Sequence, residues 1–210
     1  MAFLDDNYLL TNDTATGLYG LVKDLPIVDP HNHANLKEIF ENRNYADLWE
    51  VEAAADHYVW EMLRKRGVPE PYITGNRTNH EKWTALCEVF DELIGNPTYE
   101  WIHLDLKRQL GIDETINAEN AEAIWQKSRE ILQRNEMKPQ ALLKKMKVEC
   151  MCSTDDPVDS LDYHKKLNKI PDMQGVIRPT FRPDKAMAIY KPDWCDYIKR
   201  LEGHVDETFS

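Results

Sequence analysis

The chain has 210 residues, 42% of them hydrophobic and 30% charged, which is the make-up of a folded globular protein and enough length for one domain or one large piece of a bigger one. Thirty-seven acidic side chains against 26 basic ones leave a formal charge of −11. That balance argues against a nucleic-acid partner, whose binding depends on neutralising phosphates, and disfavours an anionic membrane surface. The apolar runs are too short for a membrane-spanning helix, and MAFLDDNYLL lacks the basic-then-apolar order of a secretory signal. Cys87, Cys150, Cys152 and Cys195 are irregularly spaced and are expected to be reduced, mostly buried thiols of a cytoplasmic protein.

Taken in chain order, Asp13 can cap a short helix that carries Leu18, Leu21 and Val22 on one face and ends near Lys23. PIVD follows as a short buried strand, closed by Asp29-Pro30 and then by His31 and His33 with one residue between them. From Leu36 to about Met146 the pattern is helical, interrupted at Pro69, Pro71, Gly75 and the GNPTY turn from Gly95 to Tyr99. The clearest helix is AENAEAIWQKSREILQR, with Ile124, Ser128, Ile131 and Leu132 sharing a face and Asn117 as its cap. Tryptophans 49, 60, 83, 101 and 125 punctuate this region and read mainly as helix packing. Strand signals return at VECMCST, Val148 to Thr154, and at GVIRPTF, Gly175 to Phe181, with a helical DSLDYHKKL between them. Strand, helix, strand implies a parallel sheet with right-handed crossovers. The expected fold is therefore α/β, with three parallel strands, polar residues at all three C-terminal ends and a large helical insertion after strand 1. In parallel α/β folds chemistry gathers at those ends.

His31 and His33 are alternate residues of an extended segment, so their rings share one side and can hold a common divalent ion at about 2.0–2.1 Å each. Two histidines do not close a metal site; a third ligand and an open position are still required. From the residues alone, Tyr58, like Trp60, is expected to be a helical core aromatic. Arg182, past the third strand, can grip a carboxylate bidentately or pair with Asp184. Asp155 and Asp156 can orient His31 or His33 from behind, but capping a helix that starts near Val158 is the favoured reading. His80, His103, His164 and His204 lack paired spacing and are expected in helix packing or on the surface, and Asp56 as local support for His57.

LPIVDPHNH resembles the first strand of the amidohydrolase superfamily with its H-x-H metal pair. ADHYVWEMLRKRGV, YITGN, GNPTYEWIHLDLKRQLGI, TDDPVDSLDYHKKL and PTFRPDKA follow in order, and together they resemble uronate (glucuronate) isomerase almost from end to end. The resemblance implies an intramolecular oxidoreductase that interconverts D-glucuronate with D-fructuronate and D-galacturonate with D-tagaturonate. It implies a divalent metal, zinc in the first instance, on His31 and His33, with His57 and Tyr58 in the site and the tyrosine a proton shuttle. A phenol of pKa near 10 needs positive charge close by to act as a base at neutral pH. The implied fold is a distorted (β/α)8 barrel, of which residues 1–34 supply the N-terminal helix and strand 1, 35–146 the helical insertion, and 147–210 strands 2 and 3.

A complete barrel typically takes about 250 residues or more. The late aspartate ligand, arginine and tryptophan of the family have no counterpart here, and EGHVDETFS ends the sequence where a fourth strand is due. The expectation is an N-terminal segment of a longer enzyme, associating with the remainder or as a homo-oligomer to cover its sheet edges. Two other functions fit the same residues: a metal-dependent hydrolase of the amidohydrolase superfamily, and a non-catalytic fragment.

Overall fold

The computed structural model of the chain describes residues 3–205; residues 206–210 of the terminal EGHVDETFS lie outside it. Along the chain come α1 (Asp13–Val22), β1 (Ile27–Asn32), α2 (Leu36–Glu41), α3 (Leu48–Glu52), α4 (His57–Lys65), α5 (Asn79–Glu88) and α6 (Pro97–Asp105). They are followed by α7 (Ala121–Leu132), α8 (Pro139–Lys145), β2 (Val148–Asp155), α9 (Asp162–Leu167), β3 (Ile177–Phe181), α10 (Asp184–Met187) and α11 (Trp194–Val205). These form two compact units. Residues up to Asp24 with Asn44–Lys138 make a helical unit, and Leu25–Arg43 with the residues from Pro139 onward make a sheet unit.

The helical unit is built around fully buried Leu48, Trp49, Val59, Leu63, Trp83, Leu86, Phe90, Leu106 and Leu132. Of the five tryptophans singled out above, Trp49, Trp83 and Trp125 are core residues, whereas Trp101 is 53% exposed. The periodicity read for α7 is the face it buries: Ala121, Ile124, Trp125, Ser128 and Leu132. Its cap differs from expectation. Asn120 occupies the N-cap, and the Asn117 carboxamide accepts from the backbone N–H groups of Glu119 and Asn120, holding the turn before the helix. At α1 the cap is Asn12, whose side chain accepts from the Ala15 N–H at 2.9 Å, and Asp13 is the first helical residue. Thr78 and Glu81 close a reciprocal capping box on α5.

The sheet unit holds a three-stranded parallel sheet in the order β1-β2-β3. Helices cover one face: Met151 and Ile177 pack against Ile39 of α2, Leu167 of α9 and Met173. β1 was expected to be buried, but Ile27 and Val28 are 45% and 65% exposed. Proline-Ile-Val has the composition of a strand covered on both faces, and the helix layer covers only the face that carries Met151 and Ile177. The segment Asp159–Leu167 becomes helical only at Asp162. Asp156 Oδ1 accepts the Val158 N–H at 3.1 Å and Asp159 Oδ2 accepts the Asp156 N–H at 2.9 Å, so residues 156–159 form a turn instead of a first helical turn. The four cysteines are free, but only Cys87 is buried; Cys150 and Cys152 are half-buried and Cys195 is exposed. None of the described helices is long and apolar enough to cross a membrane.

Candidate metal centre and substrate site

All three strands point the same way, so Asn32, Asp155 and Phe181 bring their C-terminal ends to one edge of the sheet. At the end of β1 the pairing register slips: Asp29 pairs with Met151 and Asn32 with Ser153, three steps on one strand against two on the other. Pro30 sits in that gap, and a proline cannot donate to a ladder. The bulge re-aims the residues after it, and Asp29 keeps it in shape. Its Oδ1 accepts the His31 backbone N–H at 3.0 Å and its Oδ2 the Asn32 carboxamide at 3.2 Å. On the β2 side, Thr154 Oγ1 donates to the Asn32 carbonyl at 2.8 Å.

Set this way, His31 and His33 turn their Nε2 atoms toward each other at 3.2 Å, with rings nearly perpendicular at 87°. Two metal–nitrogen bonds of about 2.05 Å that span 3.2 Å meet at about 100°, near the tetrahedral value zinc favours. The pair therefore fits a divalent ion as two of its ligands. Among the described residues no group of three or more histidine, cysteine, aspartate or glutamate side chains is placed to complete such a site. Neither Asp155 nor Asp156 has a hydrogen bond to either imidazole; Asp29, which sequence reading passed over, is the carboxylate that orders the pair.

Arg182 follows β3 directly. Its Nε donates to Asp184 Oδ2 at 3.3 Å, with side chains 40% and 69% exposed, and its backbone N–H donates to the Asp155 carbonyl at 3.3 Å. So exposed an ion pair contributes little stability, and a carboxylate ligand can replace Asp184 as the guanidinium's partner. Asp156 is committed elsewhere. It accepts from the Tyr197 hydroxyl at 2.9 Å and pairs with Lys185 at 2.7 Å. Burial raises its carboxyl, but the bonds from Lys185, Val158 and Tyr197 outweigh this and hold it below the usual range. Burial, with that same bond behind it, pushes the Tyr197 phenol up to about 12.

His57 and Tyr58 lie in the helical unit, as the first two residues of α4. Asp56 is the N-cap and accepts the Tyr58 N–H at 2.7 Å, so the support expected for His57 goes to the backbone of the helix's first turn. Val59, Met62 and Leu63 turn inward, leaving His57 and Tyr58 on the outer side of the first turn. Tyr58 is 55% exposed, so it is no core aromatic. The two rings stack at 4.3 Å with 32° between their planes. Nearby in sequence, burial and then the charges of Asp105 and Asp56 raise the Glu52 carboxyl well above its usual range.

The glucuronate isomerase family model matches residues 1–210. The chain belongs to the glucuronate isomerase family. It is 56% identical over 209 residues to the uronate isomerase of Thermotoga neapolitana, a match covering 99% of this chain and 46% of that protein. The solved uronate isomerase of Thermotoga maritima superposes with a TM-score of 0.91 at 51% identity, over 99% of this chain and 46% of that one. The glucuronate isomerase of Caulobacter crescentus gives a TM-score of 0.81 at 25% identity, over 91% and 41% of the two chains. The chain thus spans about half the length of these relatives. In this glucuronate isomerase family member the TDDPVDSLDYH and FRPDKA blocks supply the polar ties of the sheet's C-terminal edge, through Asp155, Asp156, Arg182, Asp184 and Lys185.

Proposed function

We propose that the chain is the N-terminal part of a uronate isomerase, interconverting D-glucuronate with D-fructuronate and D-galacturonate with D-tagaturonate in the cytoplasm. On this reading the three parallel strands are the first three of a (β/α)8 barrel. Residues 1–34 bring strand 1, 35–146 form the insertion, and 147–210 carry strands 2 and 3. The observation that carries the reading is the 3.2 Å convergence of the His31 and His33 Nε2 atoms at a parallel strand's C-terminal end, in a chain so similar to uronate isomerases.

The reaction moves a carbonyl from C1 to C2 of a sugar acid. The C2–H proton must go to a base, a proton must reach C1, and the O2 hydroxyl proton must pass to the C1 oxygen, through a cis-enediol. A zinc ion on His31 and His33 would supply positive charge where the enediolate develops. Tyr58 carries the proton between C2 and C1. Arg182 exchanges Asp184 for the substrate's carboxylate and so fixes the distance of C1 and C2 from the reacting groups. The complete enzyme is expected to work as an assembly, either of copies or of this part with the remainder, that covers the open sheet face.

Product analysis of the complete enzyme on a panel of uronates, lactones and esters tests the proposal. Ketose from uronates, with lactones and esters untouched, is the expected result. Hydrolysis of the lactones or esters, without ketose, would transfer the two imidazoles to a metal-dependent hydrolase.

A further inference from the structure

One buried polar cluster of the sheet unit has no part in the chemistry above: Ser153, Asp155 and His164. Ser153 is 3% exposed, and the His164 and Asp155 side chains are only 10% and 13% exposed. Ser153 Oγ lies 2.7 Å from Asp155 Oδ2 and 2.7 Å from His164 Nε2, whereas His164 Nε2 and Asp155 Oδ2 are 3.6 Å apart, too far for a direct bond. The serine therefore joins them, and of the two groups beside it that can only accept, the Asp155 carboxylate at 2.7 Å takes its single proton ahead of the Arg178 carbonyl at 3.3 Å. A carboxylate only accepts, so the Ser153 hydroxyl donates to Asp155 and its lone pair receives the His164 Nε2–H. A nucleophilic serine requires the reverse polarity, with its proton given to the imidazole.

The far end of this relay holds the exit of β3. Asp155 Oδ2 accepts the Thr180 N–H at 3.3 Å, and the Asp155 carbonyl accepts the Arg182 N–H at 3.3 Å. Thr180 Oγ1 donates to the Ser153 carbonyl at 2.5 Å. Three bonds from residues 153 and 155 thus fix the backbone from which Arg182 projects. We infer that His164, acting through Ser153 and Asp155, is a positioning residue for Arg182 and sets how firmly the substrate's carboxylate is gripped. The inference rests on the assignment of Arg182 to that carboxylate.

The test is steady-state kinetics of the complete enzyme on D-glucuronate, with His164→Met, His164→Gln and Ser153→Ala. Methionine keeps the bulk and loses the donor; glutamine keeps an N–H at similar reach. His164→Met and Ser153→Ala are expected to raise KM about tenfold with kcat nearly unchanged, and His164→Gln to restore KM to within about twofold. Should His164→Met fail to fold, Ser153→Ala carries the same readout. A purely structural role would instead lower melting temperature and active fraction and leave KM alone in every variant, which would overturn the inference. In the wild type, the 15N shifts of His164 are expected to report the Nε2–H tautomer, and the Nδ1–H form would also overturn it. A wild type that converts no uronate defeats the isomerase reading and this role together; an active wild type with unchanged KM in the donorless variants defeats this role alone.

Discussion

His103 is a buried histidine whose two nitrogens are both spoken for. Nδ1 donates to the Tyr99 carbonyl at 2.8 Å and Nε2 accepts the Ile116 N–H at 2.9 Å. That pattern requires a neutral ring, and burial, only partly offset by the Tyr99 bond and the Asp91 charge, lowers its pKa. With the folded pKa below the unfolded one of about 6.5, the unfolded chain binds the extra proton first. The stabilisation from this ring is complete above about pH 6.5 and is lost as pH falls through the folded value. Melting temperature of the wild type should fall over that range, and His103→Phe, which orphans the buried Ile116 N–H at a cost of about 1–3 kcal/mol, should start lower and lose the slope. A lone histidine in YEWIHLDL gives no sign of this in the sequence, because both its partners are backbone groups, one of them 13 residues away.

At the level of whole elements, α4 presents the reactive-looking pair His57 and Tyr58 from its first turn, where only a cap keeps the backbone helical. Asp56→Ala should cost about 1 kcal/mol of stability, read as a lower denaturant midpoint, and, on the role proposed for Tyr58, should slow ketose formation by the complete enzyme. Denaturation that leaves the midpoint unchanged would show that packing of Val59, Met62 and Leu63 alone holds the helix. Strands β2 and β3, α7 and the shared side of the two imidazoles were legible in the sequence, since each follows from period 2 or period 3.6 patterning. The caps were displaced by one to three residues, Asn12 for Asp13 and Asn120 for Asn117, because several Asn and Asp side chains compete for the same orphan N–H groups. The exposure of Ile27 and Val28 was not legible, since apolar composition records what a strand face is suited to and not what covers it. Asp29 had a readable signal in retrospect: an aspartate before a proline at a strand end is the residue best placed to serve a bulge. The His164–Ser153 tie had none, because it joins residues 11 apart through a turn whose shape the sequence did not fix.

For the molecule as a whole, the described sheet has two strand edges and one face without a helix layer, and Val28 and Phe181 are 65% and 68% exposed. In the helical unit, α1 buries none of its residues, and Leu18, Leu21 and Val22 stand out in solvent. Apolar surface of this kind calls for a partner. Sedimentation and a thermal scan of the 210-residue chain should therefore show association or a low, broad melt; a sharply melting, strictly monomeric species would go against the proposed assembly. The chemistry itself is tested most directly by following D-glucuronate and the complete enzyme by proton NMR in D2O with zinc supplied. Ketose is the predicted product, formed at wild-type rate only when Tyr58 and both His31 and His33 are present, with solvent deuterium at C1 to the extent that the Tyr58 hydroxyl exchanges between the two transfers. Ketose formed as fast by Tyr58→Phe as by the wild type would contradict proton transfer through this phenol.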